Sequence, residues 1–309
     1  MASQQDAFKV EQNHGKSNVR VARIWKNVDE SAHDFVEWNV AIKLLSDCIP
    51  AYTHADNSPI VATDTIKNTV FVKAKSCSQV VSMEEFGIIL GTHFTKIYPQ
   101  VTSAVIIIVE KPWDRVVVDG QSHHHGFKLG SEKHTTKVTV DKSGAIEINS
   151  GIRELAMLKT TQSGFEKYFM DQYTTLKEAK ERMLATELTA SWSYELRHLS
   201  DVSSKPFCFT KKYLDVKKVL VDTFFGPAKD GVYSPSVQNT LYQMAKAVLN
   251  RFPEITSIQL NMPNLHFLPV NISKNNLSVV KCEGDVYVAT SEPYGTIEAT
   301  LSRNMLSKL

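Results

Sequence analysis

Glycine is scarce in this chain, 13 of 309 residues, and nowhere is it spaced as Gly-x-Gly-x-x-Gly or as a phosphate loop. Those spacings let a backbone wrap closely round a phosphate, so a nicotinamide, flavin or nucleotide cofactor bound in the usual ways has no support. Cysteine is scarcer still. Cys48, Cys77, Cys208 and Cys282 are the only four, and no two form a C-x-x-C pair, so neither a zinc ribbon nor a redox motif is visible. The start, Met-Ala-Ser-Gln-Gln-Asp, lacks the basic-then-apolar pattern of a secretory leader. Four scattered thiols are therefore expected to stay free in a reducing interior. An excess of one charge is missing too: the net charge is +2, which gives no general basic field for nucleic acid. No apolar run approaches the ~18–20 residues of a membrane span. The longest strongly apolar run, Val105–Val109, is strand-sized.

What is present is an ordinary globular balance, 42% hydrophobic and 22% charged, in a chain long enough for two domains. Residues 1–10 carry no periodic pattern and read as disordered. Val19, Val21 and Ile24 roughly alternate with polar residues, as a half-buried strand requires, and Phe35–Leu44 alternates again after a polar turn at 27–34. The two read as a hairpin. Pro50 to Pro59 reads as a polar loop. Ile66, Val70 and Ala74 then recur every four residues, predicting a helix over about 63–76, with Thr63, Asp64 and Thr65 as its capping side chains. Ser82 with Glu85 three residues on is a capping box, and Phe86, Ile89, Leu90, Phe94 and Ile97 mark one apolar face behind it. Strands are expected over 102–109 and 126–140.

The second half repeats that order. Strands are expected over 145–159 and 185–194, separated by a long polar insert that is helical over 174–183. Tyr213, Val216, Leu220 and Phe224 trace a helix stopped by Gly226-Pro227. Ser234-Pro235 opens another, followed by Val237, Leu241, Met244 and Val248. The last strands fall in 256–267 and 285–303. The pattern strand-strand-helix-helix-strand-strand, twice over, implies an α+β protein of two similar domains, each an antiparallel sheet with its helices on one face. The boundaries expected are 9–142 and 143–304, with 305–309 as a tail.

His123-His124-His125 invites a metal reading, but consecutive side chains on a strand point to opposite faces, so three in a row do not converge on one ion. No metal site is expected. The helix start at Thr63-Asp64 has a second use beside its structural one, because the first amides of a helix point positive potential outward and hold anions well. Several polar residues sit oddly in structural segments: Lys16 at the first strand, Arg182 at the end of the insert, Gln238 in the first helical turn after Ser-Pro. Asn264 and His266 alternate within Met-Pro-Asn-Leu-His-Phe, so both face one side of a strand. Taken singly, each reads equally as a solvated lysine, a rim arginine, a capping amide or a satisfied histidine. The chain ends Ser307-Lys308-Leu309, the tripeptide read by the peroxisomal import receptor.

Together these stretches resemble a family. His-Gly-Lys-Ser-Asn-Val-Arg-Val at 14–21, Asp-Asn-Ser-Pro-Ile-Val-Ala-Thr-Asp-Thr-Ile-Lys-Asn-Thr at 56–69 and Leu-Lys-Thr-Thr-Gln-Ser-Gly-Phe at 158–165 are similar to urate oxidase (uricase), the plant-type peroxisomal enzymes most closely. So are Tyr-Ser-Pro-Ser-Val-Gln-Asn-Thr-Leu-Tyr at 233–242, Met-Pro-Asn-Leu-His-Phe at 262–267 and the terminal Ser-Lys-Leu. The resemblance implies two tandem T-fold domains, a homotetramer with active sites at subunit interfaces, and oxidation of urate by O2 with no metal and no organic cofactor. It implies that Arg182 and Gln238 grip the purine edge, that Phe165 stacks on the ring with Leu176 near it, and that main-chain groups near Val237 and Asp64 add hydrogen bonds. It further implies a proton relay of Lys16 and Thr63 helped by His266, with Asn264 holding O2 above the ring. Thr63 and Asp64 would serve the neighbouring subunit's site. Two other readings stay open on the residues alone: a T-fold activity on a pterin or guanine-like ring, which calls for a Glu anchor and in some cases zinc ligands, and a binding protein without catalysis.

Overall fold

The computed structural model describes residues 8–26, 32–204, 207–270, 272–274, 277–280 and 284–304. In chain order the elements are β1 (His14–Lys26), β2 (His33–Ser46), α1 (Ile49–Thr53), α2 (Thr63–Ser76), α3 (Met83–Ile97), β3 (Val101–Glu110), β4 (Trp113–Val118), β5 (Gln121–Leu129), β6 (Lys133–Asp141) and β7 (Ile146–Lys159). There follow β8 (Leu184–Tyr194), α4 (Leu199–Ser204), α5 (Phe209–Phe225), α6 (Val237–Arg251), β9 (Ile255–Asn261) and β10 (Asn264–Pro269). The chain continues with β11 (Ile272–Lys274), β12 (Leu277–Val280), β13 (Tyr287–Gly295) and β14 (Glu298–Ser302). Two compact units are formed, one from Met1–Ser150 and Ser193–Lys211, the other from Gly151–Trp192 and Lys212–Leu309.

In the first unit β1, β2, β3 and β6 pair in that order, every pair antiparallel. Alternation along β2 sends Trp38, Val40, Ile42 and Leu44 inward, and β3 adds Ile106 and Ile108, all at most 1% exposed. The apolar stripes of α2 (Ile66, Val70) and α3 (Phe86, Leu90, Phe94) close the core. The helix-to-sheet approach is close because α3 offers glycine there: a Cβ on Gly87 or Gly91 would stand 2.8 Å from Val138 Cγ2 or 2.5 Å from Val140 Cγ2. The Ser82–Glu85 capping box is formed in both directions.

The second unit repeats the plan. β9 pairs with both β8 and β14, and α5 and α6 supply Val216, Leu220, Phe224, Leu241, Met244 and Val248 to a core with Ile258 and Leu260 of β9. Each unit carries an insertion between its last two strands of the repeat. In the first it is the β4–β5 hairpin; in the second it is β10 to β13, with β10 pairing to β13 and, at Leu265, to Ala185 of β8.

Several sequence expectations are corrected. The strand expected over 126–140 is two strands, β5 and β6. The stretches 256–267 and 285–303 likewise each divide into two, at Met262-Pro263 and at Thr296-Ile297. Trp25, not Ile24, takes the inward place on β1, because it shares parity with Val19 and Val21; Ile24 is 46% exposed. The loop expected over 50–59 contains the short helix α1, which Pro50 opens. Residues 174–183 are not helical but an irregular loop, entered through a turn at 172–173 that side chains hold by bonding nearby backbone: Asp171 accepts from the Tyr173 amide at 2.9 Å, and Thr174 from the Asp171 amide at 2.9 Å. The turn at 27–34 falls partly outside the described residues. Cys48, Cys77 and Cys208 are free thiols; Cys282 and Ser307-Lys308-Leu309 lie outside the described residues. Among those described, no helix is long and apolar enough to cross a membrane.

Candidate active site

The candidate residues fall into two groups. Lys16, Thr63 and Asp64 belong to the first unit; Phe165, Leu176, Arg182, Val237, Gln238, Asn264 and His266 belong to the second.

In the first group, β1 approaches β2 so closely beside Lys16 that a Cβ on Gly15 would fall 1.8 Å from the Ile42 carbonyl oxygen. The register then slips between Lys16 and Val19, with Asn18 at φ 58°. Such a bulge re-aims the side chains at its edge. His14 Nε2 lies 3.2 Å from the Val61 carbonyl oxygen, tying the start of β1 to the entry of α2.

The capping expectation for α2 is overturned. The residue before the helix is Ala62, which has no side chain to cap with, and no side-chain cap bond is made. Thr63, Asp64 and Thr65 are the first helical residues, and all three are exposed. The Asp64 carboxylate is occupied elsewhere, accepting from Lys67 at 2.6 Å and Asn68 at 2.8 Å. Those partners, Lys67 foremost and Lys16 more weakly, hold it below the usual carboxylate range. The first amides of α2 are left facing outward with a hydroxyl and a nearby ammonium, a cradle suited to an anion.

In the second group, the loop between β7 and β8 folds back on itself. Phe165 and Ala179 exchange backbone bonds of 2.6 and 3.0 Å, and the Arg182 amide donates to Ser163 O at 2.8 Å. This sets the Arg182 guanidinium 5.2 Å from the centre of the Phe165 ring. Burial pulls the guanidinium below its usual value, with Tyr233 working the other way. Arg182 Nε is buried with no hydrogen-bond partner among the described residues. With no acidic partner among the described residues, this half-buried fork beside an aromatic face can take a flat anion through paired, charge-assisted bonds.

Tyr168 backs Phe165, its ring parallel to within 7° at 4.7 Å, and its hydroxyl donates to Leu176 O at 2.6 Å. One side chain thus positions the stacking ring and the segment of Leu176, which is 57% exposed. The same loop is stitched to the approach of α6: Gly164 N donates to Ser234 O and Ser234 N to Gln162 O, both at 2.9 Å. Ser236 then caps α6, accepting from Asn239 N at 3.1 Å. Val237 and Gln238 are its first two residues, Val237 buried and Gln238 exposed. Asn264 and His266 stand on one face of β10, opposite Gly295 and Thr290 of β13, both half-buried. His123, His124 and His125 lie on the β4–β5 hairpin of the first unit, apart in sequence and element from either group.

Sequence reasoning missed Lys159, Tyr168 and Tyr233. Lys159 had a visible signal: it shares strand parity with Leu155 and Met157, so the alternation that buries them buries it. Tyr168 and Tyr233 sit in aperiodic segments that carry no such signal.

Paired antiparallel-sheet units with helices on one face define a tandem T-fold protein, and the second unit carries a guanidinium against an aromatic wall with no acidic partner among the described residues. The family profile described as Uricase matches residues 12–139 and 148–298. The chain is 58% identical over 310 residues to a protein named Uricase from Arabidopsis thaliana, and 59% identical over 311 residues to Uricase-2 isozyme 1 of Glycine max, in each case over 100% of both chains. It is also similar to the crystal structure of uricase from Arthrobacter globiformis, with a TM-score of 0.84 at 32% identity, covering 97% of this chain and 96% of that one. The chain belongs to the uricase family.

Proposed function

We propose that this chain is a urate oxidase of purine catabolism, converting urate, O2 and water to 5-hydroxyisourate and hydrogen peroxide with no metal and no organic cofactor. The observation that carries the reading is the half-buried Arg182 guanidinium, without an acidic partner among the described residues and lying 5.2 Å from the centre of the Phe165 ring. A urate anion supplies what that arrangement lacks, a charged planar edge for the fork and a ring face for the wall. The Gln238 amide offers a donor and an acceptor together, suiting adjacent purine N–H and carbonyl groups. Backbone groups at Val237 and Asp64 add hydrogen bonds.

O2 is a triplet and urate a singlet, so direct combination is spin-forbidden, whereas an electron-rich urate anion can pass one electron at a time. The protein then has three tasks: remove a proton, stabilise the anion, and hold O2 against the ring face. Lys16 and Thr63, with His266, form the relay that takes and returns the proton. Asn264 holds O2 and then the attacking water. Thr63 and Asp64 reach into the site of a neighbouring subunit in a homotetramer, so the oligomer is part of the catalyst. The functional domains are 9–142 and 143–304, and the tail at 305–309 addresses the enzyme to the peroxisome through its import receptor.

The test is direct. Purified protein in air is followed for loss of urate absorbance and for peroxide, with and without chelator. The expected result is one peroxide per urate, unaffected by chelator; urate left intact, or activity abolished by chelator, overturns the reading.

A further inference from the structure

Lys159 is 7% exposed, yet it carries an ammonium. Its Nζ donates to Val232 O and to Ser234 Oγ, both at 2.8 Å, and lies 5.3 Å from the centre of the Phe224 ring. No carboxylate pairs with it among the described residues. A buried cation without a counter-ion is costly, and a methionine of similar length would fill the same space at less cost. Burial accordingly draws its proton affinity down from the ordinary lysine value.

What the amine holds explains its place. Val232 and Ser234 flank Tyr233, whose hydroxyl is tied on its other side to Lys180 O at 2.9 Å. Residues 232–234 are therefore gripped from two sides, by Lys159 from the sheet and by the β7–β8 loop through Tyr233. Ser234 is also the residue that bonds Gln162 and Gly164 through its backbone. Phe165 follows Gly164 directly, while Val237 and Gln238 begin α6 three and four residues beyond Ser234.

We propose that Lys159 is a positioning residue of the purine site: by clamping Val232 and Ser234 it fixes the spacing between the Phe165 wall and the Val237–Gln238 edge, and its unbalanced charge favours an anionic ring. The proposal rests on the reading of this lobe as the ring-binding site. In this reading Lys159 touches no substrate and acts through Val232 and Ser234.

Full-length wild type is compared with Lys159→Met, Ser234→Ala and the double variant. Urate turnover gives kcat and KM, and titration with xanthine, a purine with the same dioxo edge but no C8 oxygen, gives a Kd without chemistry. Lys159→Met is expected to raise KM and Kd together by about tenfold or more, with a smaller change in kcat. Ser234→Ala is expected to raise both by about threefold, since one bond is lost and the charge stays. The double variant should be no worse than Lys159→Met, because the bond that Ser234→Ala removes is already lost with the amine. A folded Lys159→Met with KM and Kd within about twofold of wild type overturns the proposal, as does a loss confined to kcat. Should Lys159→Met fail to fold, an unchanged KM and Kd in Ser234→Ala overturns it. A wild type that binds xanthine but leaves urate intact sinks the activity and leaves Lys159 to be decided on Kd; one that does neither overturns both.

Discussion

The two units share a plan and differ in where they depart from it. In the first, the strands β1 and β2 form a direct hairpin, the first helix of the pair starts without a cap, and the insertion is a hairpin bearing three histidines and no candidate residue. In the second, the corresponding hairpin is opened by a 24-residue connection, 160–183, and the insertion begins at Asn264; the second helix of each pair starts with a serine cap, Ser82 or Ser236. The core stripes are alike. Apart from Val237 and Gln238, which open the serine-capped α6, every candidate residue lies at a departure: a bulge, a bare helix start, a folded-back loop or an inserted strand. Repetition supplies two rigid scaffolds, and chemistry is added where the copies stop resembling each other. The first unit's departures offer an ammonium, a hydroxyl and helix amides; the second's offer a fork, an aromatic wall and an amide.

If that division holds, substitutions in the two units should fail differently. Lys16→Met, in the first, is expected to lower kcat on the order of 10²-fold or more, with a modest change in KM. Arg182→Gln, in the second, should weaken urate binding by about 2–5 kcal/mol, because a charged partner would be left without its fork. Steady-state kinetics on urate separates the two, and a Lys16→Met enzyme that loses only affinity would erase the distinction.

Gly164→Ala sharpens the second half of the comparison. Its Cβ would stand 2.1 Å from Tyr233 Oη and 2.9 Å from Ala179 O. The tyrosine can swing away but the backbone cannot, so the Phe165–Ala179 pairing must spread. We expect about 1–3 kcal/mol of destabilisation and a raised urate KM, read by thermal melting and kinetics; unchanged values would show the loop is looser than its bonds imply.

The helix starts give a smaller and more pointed test. Ser236→Ala should cost about 1 kcal/mol through loss of the α6 cap. Ala62→Ser should do the reverse for α2, stabilising it by up to about 1 kcal/mol; if the free amides of α2 take the ligand, it should also lower activity by occupying one of them. Full activity in the Ala62→Ser enzyme would mean that the bare start is accidental.

These contrasts also explain what the sequence could and could not reveal. Helix faces such as Phe86–Leu90–Phe94 and strand parity such as Val40–Ile42–Leu44 were legible because burial imposes a period. The capping box at Ser82 was legible because it is local chemistry. The start of α2 was misread because Thr and Asp favour both the capping place and the first helical turn, and Ala62 carries no signal. The 174–183 loop was misread as helical because its Lys and Glu are good helix formers, while the turn is set by Asp171 and Thr174. No local pattern in the sequence places Phe165 against Arg182; that proximity depends on the pairing of Phe165 with Ala179, a contact across a loop.

A last prediction concerns the scaffold of the first unit. Glu37 accepts from Arg20 at 2.7 Å and from Trp113 at 2.9 Å, with Lys111 at 3.3 Å. These bonds, that of Arg20 first, lower its pKa to about 2. A depressed carboxylate adds stability that is present above its unfolded value and is lost as pH falls through the folded one. Glu37→Gln should therefore melt earlier than wild type near pH 7, and the gap should close as pH falls toward about 2. A gap that does not change with pH would show that packing, not charge, is what Glu37 contributes.

The central claim is that the two kinds of departure are completed across subunits, and mixing tests it most directly. Thr63→Ala and Arg182→Gln, each expected to be nearly silent alone at urate concentrations near the wild-type KM, are combined at that concentration under conditions where mass-tagged subunits are seen to exchange. In a mixed pair one composite site has both defects and the other has neither, so about a quarter of wild-type activity should return after random exchange. Confirmed exchange with no recovery would contradict the account and confine Thr63 to its own chain.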